Sequence, residues 1–228
     1  MNRRLVIFDL DGTLVDSQDQ IVAALRHAYA QLYLVPPGRS RLLSIVGLSL
    51  PQVFAELSPD CGPDQRAALV TAYKSAFVRN RADDLPKNHA QLYQGAREIV
   101  ETLGADPGTV LGIATGKARR GVDHFFGVHG LGPHFATVQT ADDHPSKPDP
   151  SMILAAMAQT GIGAEATWMV GDTAFDIAMG RAAGVRTVAV DWGYHPRERL
   201  AAAGADAIID DFAALQGHLG TTAQRGVA

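Results

Sequence analysis

Hydrophobic positions along this chain follow two rhythms. Leu5-Val6-Ile7-Phe8 is an unbroken apolar run with β-branched and aromatic members. Such a run predicts a strand buried on both faces of a parallel sheet. Behind it, Ile21, Val22, Leu25, Ala28, Tyr29 and Leu32 recur at helical spacing. Ser17-Gln18-Asp19-Gln20 in front of them has the spacing of a capping box, and Pro36-Pro37-Gly38 predicts the stop. Short helical pieces are predicted over 42–46 and 53–57, the second led by Ser49 and Pro51, and a longer helix over 64–79. From Ser17 to about Lys87 the pattern is helical throughout and holds no strand signal.

Beyond Pro86 the rhythm changes to alternation. Helices over 96–103, through Val122, Phe125 and Phe126, and over 150–160 separate strand-like runs at 110–115, 135–140 and 167–170. A helix then runs on to Ala183, and 187–190 and 207–209 are further strands with a helix near 197–203 between them. Strands alternating with helices predict an α/β fold, a doubly wound parallel sheet covered on both faces. The helical stretch inserted after the first strand predicts a small all-helical cap domain. The expected division is therefore 1–16 and 88–220 as the α/β core, 17–87 as the cap and 221–228 as a flexible tail.

Composition narrows the function classes. The chain has 228 residues, 46% of them hydrophobic, and a formal charge of −4. That charge gives no reason to expect nucleic acid or an anionic membrane as a partner. Cys61 is the single cysteine, so no internal disulfide can form, which points to a reducing compartment and a cytoplasmic protein. Arg3 and Arg4 precede an apolar stretch, but Asp9 interrupts it too early for a signal peptide, and no run approaches the length of a membrane span.

Candidate chemistry gathers at the predicted strand ends. Asp9 and Asp11 follow the first strand, and Thr115, Gly116 and Lys117 the second. Lys147 lies in the loop after the third, and Asp172 and Asp176 follow the fourth. In an open parallel sheet these ends share the edge where ligands bind. Clustered carboxylates suit Mg²⁺, a hard cation that takes oxygen ligands. A hydroxyl, backbone N–H groups at a helix start and a lysine suit phosphate oxygens. One carboxylate can act as a nucleophile on phosphorus and a second as general acid and base. Together they read as a phosphoryl-transfer site.

Four segments carry a family resemblance: Asp9-Leu10-Asp11-Gly12-Thr13-Leu14-Val15-Asp16-Ser17, Ala114-Thr115-Gly116-Lys117, Lys147-Pro148-Asp149-Pro150 and Gly171-Asp172-Thr173-Ala174-Phe175-Asp176. In order and spacing the chain resembles the haloacid dehalogenase-like hydrolases, in their phosphoglycolate phosphatase-like branch. The resemblance implies Asp9 as nucleophile and Asp11 as acid/base, with phosphate held by Gly12, Thr115, Gly116 and Lys147. It implies Mg²⁺ on the Asp9 carboxylate, the Asp11 main-chain carbonyl and Asp172, with Asp176 in support. The implied substrate is a small phosphomonoester such as phosphoglycolate, with the cap closing over the site. The sequence leaves the oligomeric state open between monomer and homodimer. Many relatives carry asparagine where this chain has Gly116, which removes a side-chain contact.

Other readings fit less well. Gly112 to Ala118 falls short of a P-loop, with three residues between its glycines and Ala118 where a Ser/Thr belongs. His124, His129 and His134 are five apart, off the spacing that pairs ligands on a helix face, and read as structural or surface residues. Within the resembling family, Asp11 disfavours dehalogenation. A phosphonatase needs a Schiff-base lysine, for which the cap offers only Lys74 and Lys87. A β-phosphoglucomutase-like sugar phosphomutase shares the same core. A phospho-accepting receiver-like signalling module would place its phosphorylated aspartate after a later strand and lack the helical insertion.

Overall fold

The structure, a computed structural model, describes residues 3–82 and 90–220, with the side chains of 78–82 and 220 excepted. Lys87, the expected domain boundary at 87/88 and the expected tail at 221–228 lie outside the described residues.

The first apolar run forms β1, Arg4–Phe8. It is flanked in the sheet by β4 (Thr109–Thr115) and β6 (Thr167–Gly171), both parallel to it. β5 (Phe135–Thr140) lies outside β4, and β7 (Arg186–Val190) and β8 (Ala207–Ile209) lie outside β6. The order is β5-β4-β1-β6-β7-β8, every neighbouring pair parallel. The chain builds one half of the sheet to β5 and then crosses back to the other side of β1. β1 therefore sits at the switch point, where open parallel sheets leave a crevice at the carboxyl ends of their strands.

Successive residues of β1 serve opposite faces, as strand geometry requires. Val6 and Phe8 join a core with α5 (Ala96–Ala105), α6 (Arg119–His129) and α10 (Phe212–Gly220). Leu5 and Ile7 join another with α7 (Ser151–Thr160) and α8 (Ala174–Ala182). All four side chains are fully buried, each contributing about 1.5–3 kcal/mol. α9 (Arg197–Ala202) packs Leu200 against the outer strands.

Four helices follow β1: α1 (Gln18–Gln31), α2 (Arg39–Leu43), α3 (Leu50–Leu57) and α4 (Pro63–Ala82). They hold their own apolar cluster, built on Ile21, Leu25, Phe54 and Leu69. A two-residue ribbon pairs the chain entering this segment, β2 (Val15–Asp16), with the chain leaving it, β3 (Gln91–Leu92). The ribbon is too short for periodicity to have announced it.

Local details depart from expectation. α1 stops at Gln31, before Pro36-Pro37-Gly38, because the exposed Tyr33 turns into the left-handed region at φ 55°. The predicted piece over 42–46 is shifted back to Arg39–Leu43. α10 had no predicted counterpart, although Phe212, Leu215 and Leu219 supply a buried helical stripe. The capping box at Ser17 does not form, since its side chain makes no bond to the start of α1 and turns toward the sheet edge.

Candidate active site

β1 ends at Phe8, and the backbone N–H of Asp9 donates to the Val170 carbonyl of β6 at 2.9 Å. That bond carries Asp9 one residue beyond the strand. The chain then turns through Gly12, at φ 92°, where an added Cβ would collide with the Asp172 carboxylate. Only glycine combines this backbone region with so close an approach. The turn leaves Asp9 buried at the sheet edge and Asp11 slightly open to solvent.

Asp9 is the unusual group. Lys147 Nζ stands 2.9 Å from Asp9 Oδ1 but directs its hydrogen bond to Asp176 Oδ1 at 2.6 Å. Among the described residues neither buried Asp9 oxygen has a hydrogen-bond partner, and Oδ1 has only the Lys147 ion pair beside it. Burial pushes the Asp9 carboxyl from its ordinary 3.8 up to about 6, against the pull of the Lys147 charge. Burial alone would lower the Lys147 ammonium, but Asp176 and Asp9 outweigh it and hold the group charged. Removing water makes these charges matter more, and it makes an unpartnered carboxylate costly.

α8 supplies the rest of this cluster. Thr173 caps the helix through a capping box with Asp176, whose Oδ2 accepts from Thr173 N at 3.0 Å and Thr173 Oγ1 at 2.6 Å. The cap therefore aims the other Asp176 oxygen at Lys147. Asp172, on the last turn before α8, accepts from Thr13 Oγ1 at 2.9 Å and from the Tyr194 N–H at 2.8 Å. Burial raises the Asp172 carboxyl well above its usual range, with Asp176 and Asp9 adding to the shift. One carboxylate oxygen each from Asp9, Asp172 and Asp176 lie within 4.8 Å of one another. An all-oxygen set of buried acids beside two orphaned carboxylate oxygens fits a hard divalent cation such as Mg²⁺.

Asp11 faces a different set of partners. Its Oδ1 accepts from Ser17 Oγ at 2.6 Å, and Lys117 Nζ reaches both of its oxygens at 2.7 and 2.6 Å. Tyr194 Oη lies 3.0 Å from Ser17 Oγ and completes the chain of hydroxyls. Thr115, the last residue of β4, is buried beside this group, and its Oγ1 accepts from the Lys117 N–H at 3.2 Å. It does not cap α6, whose N-cap is Ala118.

Gly116 explains its own identity. A Cβ there would run into the Gly47 carbonyl, and would meet the Leu48 carbonyl at 2.8 Å. The loop between α2 and α3 thus occupies the space that an asparagine side chain would take. His195 ties the helical segment to the sheet. Its Nδ1 accepts from the Ala174 N–H at 2.9 Å and its Nε2 donates to the Ser44 carbonyl at 2.9 Å. Burial lowers its basicity, which keeps the ring in the neutral form these two bonds require.

Every predicted site residue lies at this one edge, in two adjoining groups: Asp9, Lys147, Asp172 and Asp176, and Asp11 with Thr115. Gly12 and Gly116 provide the close approaches. Sequence reasoning named Lys117 beside Thr115 and Gly116 without its pairing to Asp11, missed Thr13, Thr173, Tyr194 and His195 as working parts, and took Ser17 for a helix cap. Thr13 and Thr173 stood inside motifs and could have been found there. Tyr194 and His195 carried no local signal.

The helical segment and the sheet edge enclose a cavity of about 420 Å³ that reaches Asp9, Asp11, Thr115 and Gly116. Val46, Gly47 and Leu48 of the α2–α3 loop line it.

Comparison with known proteins accords with this geometry. A family model described as haloacid dehalogenase-like hydrolase matches residues 6–190. The chain is 36% identical to the probable phosphatase IndB of Dickeya dadantii, covering 93% of this chain and 92% of that protein. It is 32% identical to the pyrophosphatase PpaX of Anoxybacillus flavithermus, over 98% and 100% of the two chains. It is also 34% identical to the phosphoglycolate phosphatase of Rhodospirillum rubrum, over 95% and 91%. Among solved structures, a hydrolase from Pseudomonas syringae superposes with a TM-score of 0.82 at 27% identity, covering 96% of this chain and 98% of that one.

Proposed function

Because this chain belongs to the haloacid dehalogenase-like hydrolases and is a phosphatase of that family, we propose that it hydrolyses a small phosphomonoester through a phosphoryl group carried on Asp9. The observation that carries the proposal is the Asp9 carboxylate itself. A buried carboxylate with neither oxygen hydrogen-bonded is free to attack phosphorus, and the fold keeps it ionised only by the charge of Lys147. Such a group is costly to stability, and a nucleophile is the role that explains its retention.

In the proposed reaction an Asp9 oxygen forms a bond to phosphorus as the bond to the ester oxygen breaks. Asp11, in its acid form, gives its proton to the departing alcohol. A water then attacks the phosphoryl group, Asp11 takes the water proton, and inorganic phosphate leaves with the Asp9 carboxylate restored. Ser17 and Lys117 hold Asp11 while it is ionised, and the acid form gives up the Lys117 contact on the oxygen that carries the proton. Thr115, Lys147 and the N–H group of Gly116 receive phosphate oxygens, whereas the Gly12 N–H, expected to do the same, is committed to the Val15 carbonyl at 2.9 Å and serves the turn. Asp9, Asp172 and the Asp11 main-chain carbonyl would hold Mg²⁺, with Asp176 in support, and the ion would offset phosphate charge when bound. The segment from α1 to α4 acts as a cap that excludes water from the phosphoryl intermediate.

The test is phosphate release with Mg²⁺ and with chelator, from 2-phosphoglycolate, pyrophosphate, sugar phosphates and simple alkyl phosphates. Chelator-sensitive release that Asp9→Asn abolishes is the expected result. Release that survives Asp9→Asn would reject Asp9 as nucleophile, and interconversion of sugar phosphates without release would favour a mutase.

A further inference from the structure

The cavity over the carboxylates has a wall that does not suit every phosphate ester. Its inner surface comes from α1, the α2–α3 loop, α3 and α4, and the residues there include Ile21, Leu25, Ile45, Val46, Leu48 and Phe77. All but Phe77 are buried, so the wall is fixed by the packing of the helical segment's own core. Three cations among the described residues also line this cavity, and one of them, Lys117, has its Nζ 5.9 Å from the centre of the Phe77 ring. Lys117 is engaged by both oxygens of Asp11, and Lys74 and Arg120 are exposed, at the rim. A charged leaving group seated against the wall would trade water for aliphatic carbon. An apolar one would gain by the same exchange.

Size points the same way. A cavity of about 150 Å³ already accepts benzene, and the cavity here, about 420 Å³, spans the phosphate end at Asp9, Asp11 and Thr115 together with the apolar wall. Glycolate is smaller than benzene, and neither it nor a second phosphate could cover the wall.

Resting on the phosphatase reading above, we propose that the substrate is the phosphate monoester of an alcohol with a compact apolar body, aryl-alkyl or branched alkyl. The phosphate lies at Asp9 and the apolar body against the wall formed by α1, α3, α4 and the α2–α3 loop. Specificity then comes from burial of carbon rather than from a charged contact in the cap.

Binding and turnover separate this inference from the reading it rests on. Four phosphonates titrated calorimetrically into the Mg²⁺-loaded protein read the wall without any chemistry: 3-phenylpropylphosphonate, propylphosphonate, 3-phosphonopropionate and methylenediphosphonate. Full burial of a phenyl group predicts that the first binds about 10- to 150-fold more tightly than the second. It should also bind more tightly than the last two, which imitate phosphoglycolate and pyrophosphate. Leu50→Asn, at a half-buried wall position on the first turn of α3, should reduce the phenyl advantage at least threefold, by about 0.7 kcal/mol. Equal or tighter binding of 3-phosphonopropionate or methylenediphosphonate overturns the inference, as does a phenyl advantage below threefold. Turnover of 2-phenylethyl and ethyl phosphate is measured in parallel, because the two share nearly the same leaving-group chemistry. The predicted binding order without turnover of either ester would sink the phosphomonoester reading and leave the apolar site standing. Turnover with the reverse binding order would do the opposite.

Discussion

Replacing Asp9 by asparagine is expected to destroy activity and at the same time to stabilise the metal-free protein. The carboxylate is fully buried, both oxygens lack hydrogen-bond partners, and its pKa is raised from 3.8 to about 6. Because the folded value lies above the unfolded one, the native state binds the extra proton between these pH values. Stability therefore falls as pH rises from about 3.8 to about 6, and the loss is complete above that. At 1.36 kcal/mol for each pH unit, ionised Asp9 costs the fold about 3 kcal/mol near neutrality. Asparagine has nearly the same shape and carries no charge, and Lys147 keeps its partner in Asp176. At about 2–4 °C for each kcal/mol in a chain of this size, Asp9→Asn should raise the unfolding midpoint by about 6–12 °C at pH 7.5 in chelator. The gain should shrink steadily toward pH 5. Saturating Mg²⁺ should narrow the gap by stabilising the parent chain more than the variant, because the carboxylate is the better ligand. Thermal unfolding across this pH range, with chelator and with Mg²⁺, measures all three effects. A variant less stable than its parent at pH 7.5 in chelator, or a gain that does not depend on pH, would refute the reasoning.

Lys147→Met leaves Asp9, Asp172 and Asp176 buried together without their ammonium. It should lower stability in chelator by about 3–5 kcal/mol, with Mg²⁺ recovering part of the loss, and a midpoint unchanged in chelator would contradict the pairing. Gly116→Ala drives a methyl into the Gly47 and Leu48 carbonyls. Displacing that loop at about 1–3 kcal/mol should reduce kcat/KM between about 5- and 150-fold, and wild-type kcat/KM would remove the contact from consideration. Thr173→Ala deletes the α8 capping bond and the donor to Asp176 Oδ2. A loss of about 0.5–2 kcal/mol is expected from denaturant titration, and no loss would mean that Asp176 is held by the Thr173 N–H alone.

What the amino-acid order determined by itself is whatever depends on neighbours along the chain. A run such as Leu5-Val6-Ile7-Phe8 can satisfy its backbone and bury its side chains only inside a covered parallel sheet, and alternating strands and helices specify that sheet. The chemical groups follow from the same logic, because Asp9, Thr115 and Asp172 stand at or just past strand ends and parallel strands put those ends on one edge. Tertiary structure decided everything that depends on residues distant in sequence. Ser17 has the spacing of a helix cap, yet the hydrogen bond to Asp11 and the Tyr194 hydroxyl claims its side chain. Gly116 is glycine because the Gly47 carbonyl arrives from a different segment. His195 reaches Ser44 across 151 residues of chain and ties it to Ala174, with nothing in its own neighbours to mark it. Local patterns encode which face of an element seeks burial. The partners on that face, and the cost of each buried charge, exist only once distant parts of the chain exclude water together.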